Sequence, residues 1–230
     1  MQARAVLAVA AHPDDEVLMA GATLARHAAE GARVDILFVA DGGSARFAAP
    51  DAPGAAEAIA AREEAARAAA RILGARPPRF LRFPDNRLDS AALLDIVKAI
   101  EAVVAESEPE TVYTHFEGDL NIDHAIVGRA VRTACRPTPG RGVRRLYAGE
   151  TLSASEWGGG PRFRPTRFVG CDAAGALATK IAALRAYGDE IPPAPHPRSL
   201  EAVEALARSR GAEAGLDHAE AFEIIREIDA

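Results

Sequence analysis

Cysteine is scarce in this chain: Cys135 and Cys171 are the only two among 230 residues, far apart and outside any C-x-x-C spacing. That scarcity excludes a disulfide scaffold and a thiolate zinc site, so any metal must be held by histidine and carboxylate. Basic blocks interleaved with aromatics are also missing, and the formal net charge of -6 is spread without long runs of one sign. Nucleic acid and anionic membranes are therefore poor partners, and a small soluble ligand fits better. No integral membrane segment is expected, because no apolar run is long enough. The N-terminal MQARAVLAVAAHPDDE lacks a long apolar region with a cleavage site and soon meets carboxylates, so it reads as the first strand of a cytoplasmic protein. Internal repeats and long linkers are absent too, which favours a single domain over residues 1–230.

What the chain does contain is hydrophobic residues at 49% of positions, enough for one sizeable core. They are arranged as short apolar strands, each followed by an amphipathic or alanine-rich helix. Residues 3–10, 32–40, 79–83 and 111–115 read as strands; 16–32, 55–74, 91–107 and 124–135 read as the helices after them. Gly31 and Gly74 stand where left-handed helix ends want glycine, and Pro109 separates a helix from the next strand. Beyond about residue 140 the rhythm weakens to strands at 144–151 and 166–170, a helix at 173–187, a proline-rich loop and a last helix. This alternation predicts an α/β fold, a Rossmann-like three-layer sandwich with a mostly parallel central sheet flanked by helices.

Ligands of such sheets bind beyond the carboxyl ends of the strands, so the residues after each strand matter most. They are His12-Pro13-Asp14-Asp15-Glu16, then Asp41 to Arg46, then Pro84-Asp85-Asn86-Arg87, then His115 followed by Asp119-Leu120-Asn121-Ile122-Asp123-His124. Histidines and carboxylates on one sheet edge suit zinc, which keeps a position open for water when catalytic. One of Asp14 and Asp15 can bind metal while the other accepts a proton from water. Asp-Asp-Glu at a helix start is also ordinary capping chemistry, and a histidine beside a helix start is commonly a satisfied polar residue. A dinucleotide-dependent oxidoreductase is disfavoured, because the first turn reads AHPDDE instead of G-x-G-x-x-G and its acids would repel a pyrophosphate.

AHPDDE at 11–16 resembles the signature of the PIG-L/LmbE-like zinc N-deacetylases. Arg62-Glu63, PDNRLDS at 84–90, DLNIDH at 119–124, HPRS at 196–199 and AEAF at 219–222 extend the resemblance over nearly the whole chain. The resemblance implies His12, Asp15 and His124 as zinc ligands and Asp14 as general base; in a reducing cytoplasm iron(II) is the alternative metal. It also implies Arg62 and Asp85 as holders of sugar hydroxyls in an N-acetylated sugar substrate. Arg46 and His115 join them as further candidates for substrate contact. Many relatives place a histidine where this chain has Asn121, which can donate a hydrogen bond to an oxyanion but cannot deliver a proton. His196, His115 or a shuttling Asp14 is left for that task. Asp123 either orients a histidine or caps a helix. A non-catalytic sugar- or metal-binding relative would have no use for a spare base at Asp14; removal of another acyl group stays open. Trp157 belongs to a loop that forms either a pocket wall or a contact in a homo-oligomer.

Overall fold

The computed structural model describes residues 5–139 and 142–229. The strands are β1 (Ala5–Ala10), β2 (Arg33–Ala40), β3 (Arg79–Phe83), β4 (Thr111–His115), β5 (Arg145–Gly149), β6 (Arg167–Gly170) and β7 (Ala219–Glu227). The helices are α1 (Asp15–Ala29), α2 (Ala55–Leu73), α3 (Leu93–Ser107), α4 (Ile122–Ala134), α5 (Ala176–Arg185) and α6 (Leu200–Ala214). One sheet runs β3-β2-β1-β4-β5-β7-β6. Its first five members are parallel, and β7 runs antiparallel between β5 and β6.

The layers follow from alternation along the central strands, since successive strand side chains point to opposite faces. Val6, Ala8 and Ala10 of β1 join the core shared with α1, α2 and α5. Leu7, Val9 and Ala11 join the other core, with α3 and α4. Both faces are covered, which is why β1 can be apolar at every position. Helix α2 turns Ala66, Ala69, Ala70 and Leu73 inward at helical spacing and ends on Gly74 in the left-handed conformation (φ 73°).

Two expectations need correction, and one falls partly outside the described residues. The helix expected over 173–187 is broken at Ala174 (φ 55°), so a single 3-10 turn at 173–175 precedes α5. Strand β7, unanticipated, supplies the antiparallel element. The first strand was expected from residue 3, but residues 3 and 4 are not among those described.

Helix α1 is gripped at mid-length by buried charges. Glu220 of β7 accepts the backbone N–H groups of Ala22 (3.0 Å) and Thr23 (2.7 Å). Lys180 of α5 donates to the Leu18 carbonyl and to Glu220, both at 2.7 Å. The Ala22 N–H and Leu18 carbonyl are an i, i−4 pair of the helix, so the two side chains bind both ends of the same rung.

The chain passes outward from β1 to β3 on one side, then crosses back to β4 on the other side of β1. The loops after β1 and β4 thus diverge and leave a crevice at the carboxyl ends of these strands.

Candidate active site

His12 to Asp15 link β1 to α1 by a tight turn, closed by the Asp15 N–H donating to the His12 carbonyl (3.2 Å). Asp14 sits at φ 125°, ψ −31°, a conformation L-residues avoid and one that costs on the order of 1–3 kcal/mol. A Cβ added to Gly42 would lie 2.6 Å from Pro13 Cδ, so the loop after β2 braces this turn at a separation that only glycine permits. The Asp14 side chain caps nothing, although its residue is the N-cap of α1. Its carboxylate lines a cavity instead, with Oδ2 3.2 Å from Arg198 Nη1 and 3.6 Å from Arg62 Nη2. Its other oxygen, Oδ1, is buried without a hydrogen-bond partner. Burial raises the Asp14 pKa against the opposing pull of the two guanidiniums, which suits a proton acceptor.

Beside it, Asp15 Oδ2 lies 3.1 Å from His12 Nδ1 and 3.2 Å from His124 Nε2. The far nitrogens of both rings are engaged: His12 Nε2 is 3.0 Å from Asp85 Oδ1 and 3.1 Å from Asp123 Oδ2, and His124 Nδ1 is 2.9 Å from Asp119 Oδ2. Donation from those far nitrogens leaves lone pairs on the near ones, facing a carboxylate oxygen. Such a convergence of acceptors is stable only around a proton or a cation. His124 Nε2 and Asp15 Oδ1 are in fact buried with no hydrogen-bond partner.

The residues fit a metal on two counts. Ligand atoms about 2.0–2.1 Å from tetrahedral zinc lie about 3.3 Å from one another, close to the spacing here. The charge balance agrees, since Asp14, Asp15, Asp85, Asp119 and Asp123 are all buried together. Burial alone would lower the His12 pKa, yet the carboxylates raise it well above the usual value; His124 is raised in the same way. Asp15 is held well below the carboxylate range, the histidine charges and hydrogen bonds overcoming burial.

The loops are tied to one another by side chains. Asp123 accepts the backbone N–H groups of Asn86 (2.8 Å) and Leu88 (3.1 Å), fixing the loop after β3. It is no helix cap; that position belongs to Asn121, which accepts the Asp123 N–H. Asn121 also donates its amide to Asn86 Oδ1 (3.1 Å) and lines the cavity. Ser44 Oγ accepts the Asp85 N–H, joining the loops after β2 and β3.

Asp14, Arg46, Arg62, Asp85, Asn121 and His12 line one cavity of about 200 Å³. Arg46 stands at its exposed edge, paired with Glu190. Two expected residues are placed elsewhere. His115 was a candidate for substrate contact, but it is fully buried, stacked on His124 with ring centroids 3.9 Å apart. Its Nε2 accepts the Ala11 N–H (2.8 Å), and burial, then the charge of His124, push its pKa well down. His196, a candidate acid, is not among the cavity-lining residues, and its Nδ1 accepts the Arg198 N–H to hold the HPRS turn. The sequence reading assigned nothing to Arg198 and Glu190, which line the cavity, or to Asp119, which orients His124. Arg198 belongs to the HPRS block and Asp119 stands five residues before His124, but only the fold brings them to the site.

The family profile described as "PIG-L: GlcNAc-PI de-N-acetylase" matches residues 7–135, just over half of the chain. This chain belongs to the PIG-L family. The uncharacterized deacetylase YaiS of Escherichia coli is 33% identical over 141 residues, 59% of this PIG-L chain and 70% of that protein. The 1D-myo-inositol 2-acetamido-2-deoxy-alpha-D-glucopyranoside deacetylase of Geodermatophilus obscurus is 33% identical over 161 residues, 58% of this chain and 55% of that one. The 4-carboxy-2-hydroxymuconate hydratase of Pseudomonas putida superposes with TM-score 0.78 at 24% identity, covering 99% of this chain and 98% of that one. A hydratase on the same scaffold means that the fold alone does not choose the reaction. Family membership and the related deacetylases do: this PIG-L protein is an amide hydrolase acting on a carbon–nitrogen bond outside peptides. Among the described residues no helix is long and apolar enough to cross a membrane.

Proposed function

We propose that the protein is a metal-dependent N-deacetylase of an amino sugar, with His12, Asp15 and His124 holding a divalent cation, zinc or iron(II). The observation that carries this reading is the convergence of three buried ligand atoms, with Asp15 Oδ2 3.1 Å from His12 Nδ1 and 3.2 Å from His124 Nε2, in a cluster where His124 Nε2 and the Oδ1 atoms of Asp14 and Asp15 have no hydrogen-bond partner. A cation held there supplies Lewis acidity, which lowers the pKa of water and polarises an amide carbonyl.

The chain's own groups account for the rest. Asp14 takes a proton from water as the water oxygen bonds to the acetyl carbon. Asn121 offers the developing oxyanion the amide hydrogen that it does not give to Asn86. Breaking the C–N bond needs a proton on nitrogen. With His115 sealed from the cavity and His196 outside its lining, Asp14 returns the proton that it took. Acetate and the free amine then leave. Arg62, Arg198, Asp85 and Asn86 face the cavity as hydrogen-bonding groups for sugar hydroxyls.

Acetate release from free and conjugated N-acetylglucosamine by zinc-loaded protein tests the reading, with chelated enzyme and Asp14→Asn as controls. Release that needs metal and is lost in Asp14→Asn supports it; undiminished release by Asp14→Asn overturns the base assignment.

A further inference from the structure

The cavity is polar and small. At about 200 Å³ it falls below the roughly 300–1,000 Å³ of sites that enclose drug-sized ligands, so it takes one small ring. Whatever else the substrate carries must lie across the mouth. Seven large hydrophobic side chains are exposed among the described residues, and Leu120 (59%), Ile122 (46%) and Trp157 (52%) are three of them. Leu120 and Ile122 flank the cavity residue Asn121.

Trp157 is brought to the same place by its loop. The Leu120 N–H donates to the Ala154 carbonyl (3.0 Å), and a Cβ on Gly158 would meet the Gly118 carbonyl at 2.4 Å, so this loop lies directly on residues 118–120. On its other side Ser153 Oγ accepts from Nε of cavity-lining Arg198 (2.7 Å), and the Trp157 ring stands edge-on to His196 at 6.4 Å. The loop that carries the indole thus spans the two segments that flank the cavity, with the ring itself beside His196.

Resting on the deacetylase reading, we propose that the amino sugar carries an apolar planar aglycone, an aryl ring that packs on Trp157 with Leu120 and Ile122 while the sugar fills the polar cavity. The wall of the cavity is made mostly of charged and amide side chains, whereas an exposed indole gives such a ring a flat partner. A second copy of the chain is the weaker occupant, because a stable interface buries about 800 Å² on each partner, far more than three side chains supply.

Trp157 is the only tryptophan in the chain, so its emission reports the subsite directly. Zinc-loaded Asp14→Asn protein is titrated with phenyl N-acetyl-β-glucosaminide, with the octyl glycoside and with free N-acetylglucosamine. Wild-type enzyme, Trp157→Ala and Trp157→Phe are assayed on the same compounds. The expected result is an emission change at lower concentration for the phenyl glycoside than for the free sugar. Trp157→Ala should also raise KM about tenfold more for the phenyl glycoside than for the free sugar, with Trp157→Phe restoring most of the loss. Equal behaviour of phenyl glycoside and free sugar overturns the proposal while acetate release keeps the deacetylase reading. A stronger response to octyl than to phenyl overturns the planar ring. Emission that follows protein concentration instead of ligand assigns the patch to self-association. No acetate from any compound overturns the deacetylase reading itself.

Discussion

Two buried charged clusters hold α1, one at its start and one at its middle, and they are built to opposite rules. At the middle, Glu220 and Lys180 have their charges answered from within the protein: a backbone N–H for each Glu220 oxygen, a backbone carbonyl for the ammonium, and each other. At the start, His12 Nδ1, Asp15 Oδ2 and His124 Nε2 turn toward a common point, and the cluster leaves His124 Nε2 and Asp15 Oδ1 buried without a hydrogen-bond partner. Both clusters are desolvated to a similar degree. Burying polar groups is costly unless each is satisfied, so an unfinished cluster implies a missing participant and a finished one implies structure. Burial and charge alone would not have separated them.

That contrast is broken most severely at its functional member. His124→Ala should lose both bound zinc and acetate release; one equivalent of zinc by metal analysis of the folded variant would remove His124 from the ligand set. Asp14→Asn should keep its zinc while kcat falls by about 10²–10⁴-fold, the span of a lost general base. The structural cluster should answer in stability. Lys180→Met should lower the unfolding free energy by about 3–5 kcal/mol in denaturant titration, the cost of stranding one half of a buried pair. The double variant Lys180→Met/Glu220→Gln should recover part of that loss if the pair acts as a unit. Arg198→Gln sits between the two behaviours and should be mildest. It removes one charge-assisted contact to Asp14, worth about 1.5–3 kcal/mol, so kcat should fall roughly ten- to a hundredfold with zinc content retained. Loss of zinc in that variant would show that Arg198 supports the metal site instead of the base.

The first half of the fold was legible because each parallel strand there is a short apolar run followed by a helix of regular spacing, and glycine marks the helix ends. Strand β7 was not. Its residues AEAFEIIRE mix alanine and glutamate, good helix formers, with apolar residues that alternate poorly. Only the vacancy between β5 and β6 makes them extended. The helix expected over 173–187 failed for a local reason, a left-handed Ala174 that composition does not announce.

For the site, the places after strands drew attention to the loops that carry His12, Asp14, Asp15 and His124, and the family resemblance assigned roles within them; position alone did not suffice, since His115 also ends a strand and is fully buried. Which nitrogen of each histidine faces inward depends on Asp123 and Asp85, whose carboxylates reach His12 from other loops, and on Asp119, which reaches His124 from five residues earlier in the chain. Arg198 and His196 show the same limit. Two residues apart in one block, they differ in outcome because the turn sends the guanidinium to Asp14 and the imidazole back to its own backbone. The sequence by itself determined the strand-helix alternation, the scarcity of thiols and the supply of imidazoles and carboxylates at the strand ends. The tertiary structure decided which of those groups stay unpaired, because pairing depends on long-range approach, and here contacts between residues as distant as 12 and 123, or 14 and 198, orient His12 and fix the surroundings of Asp14.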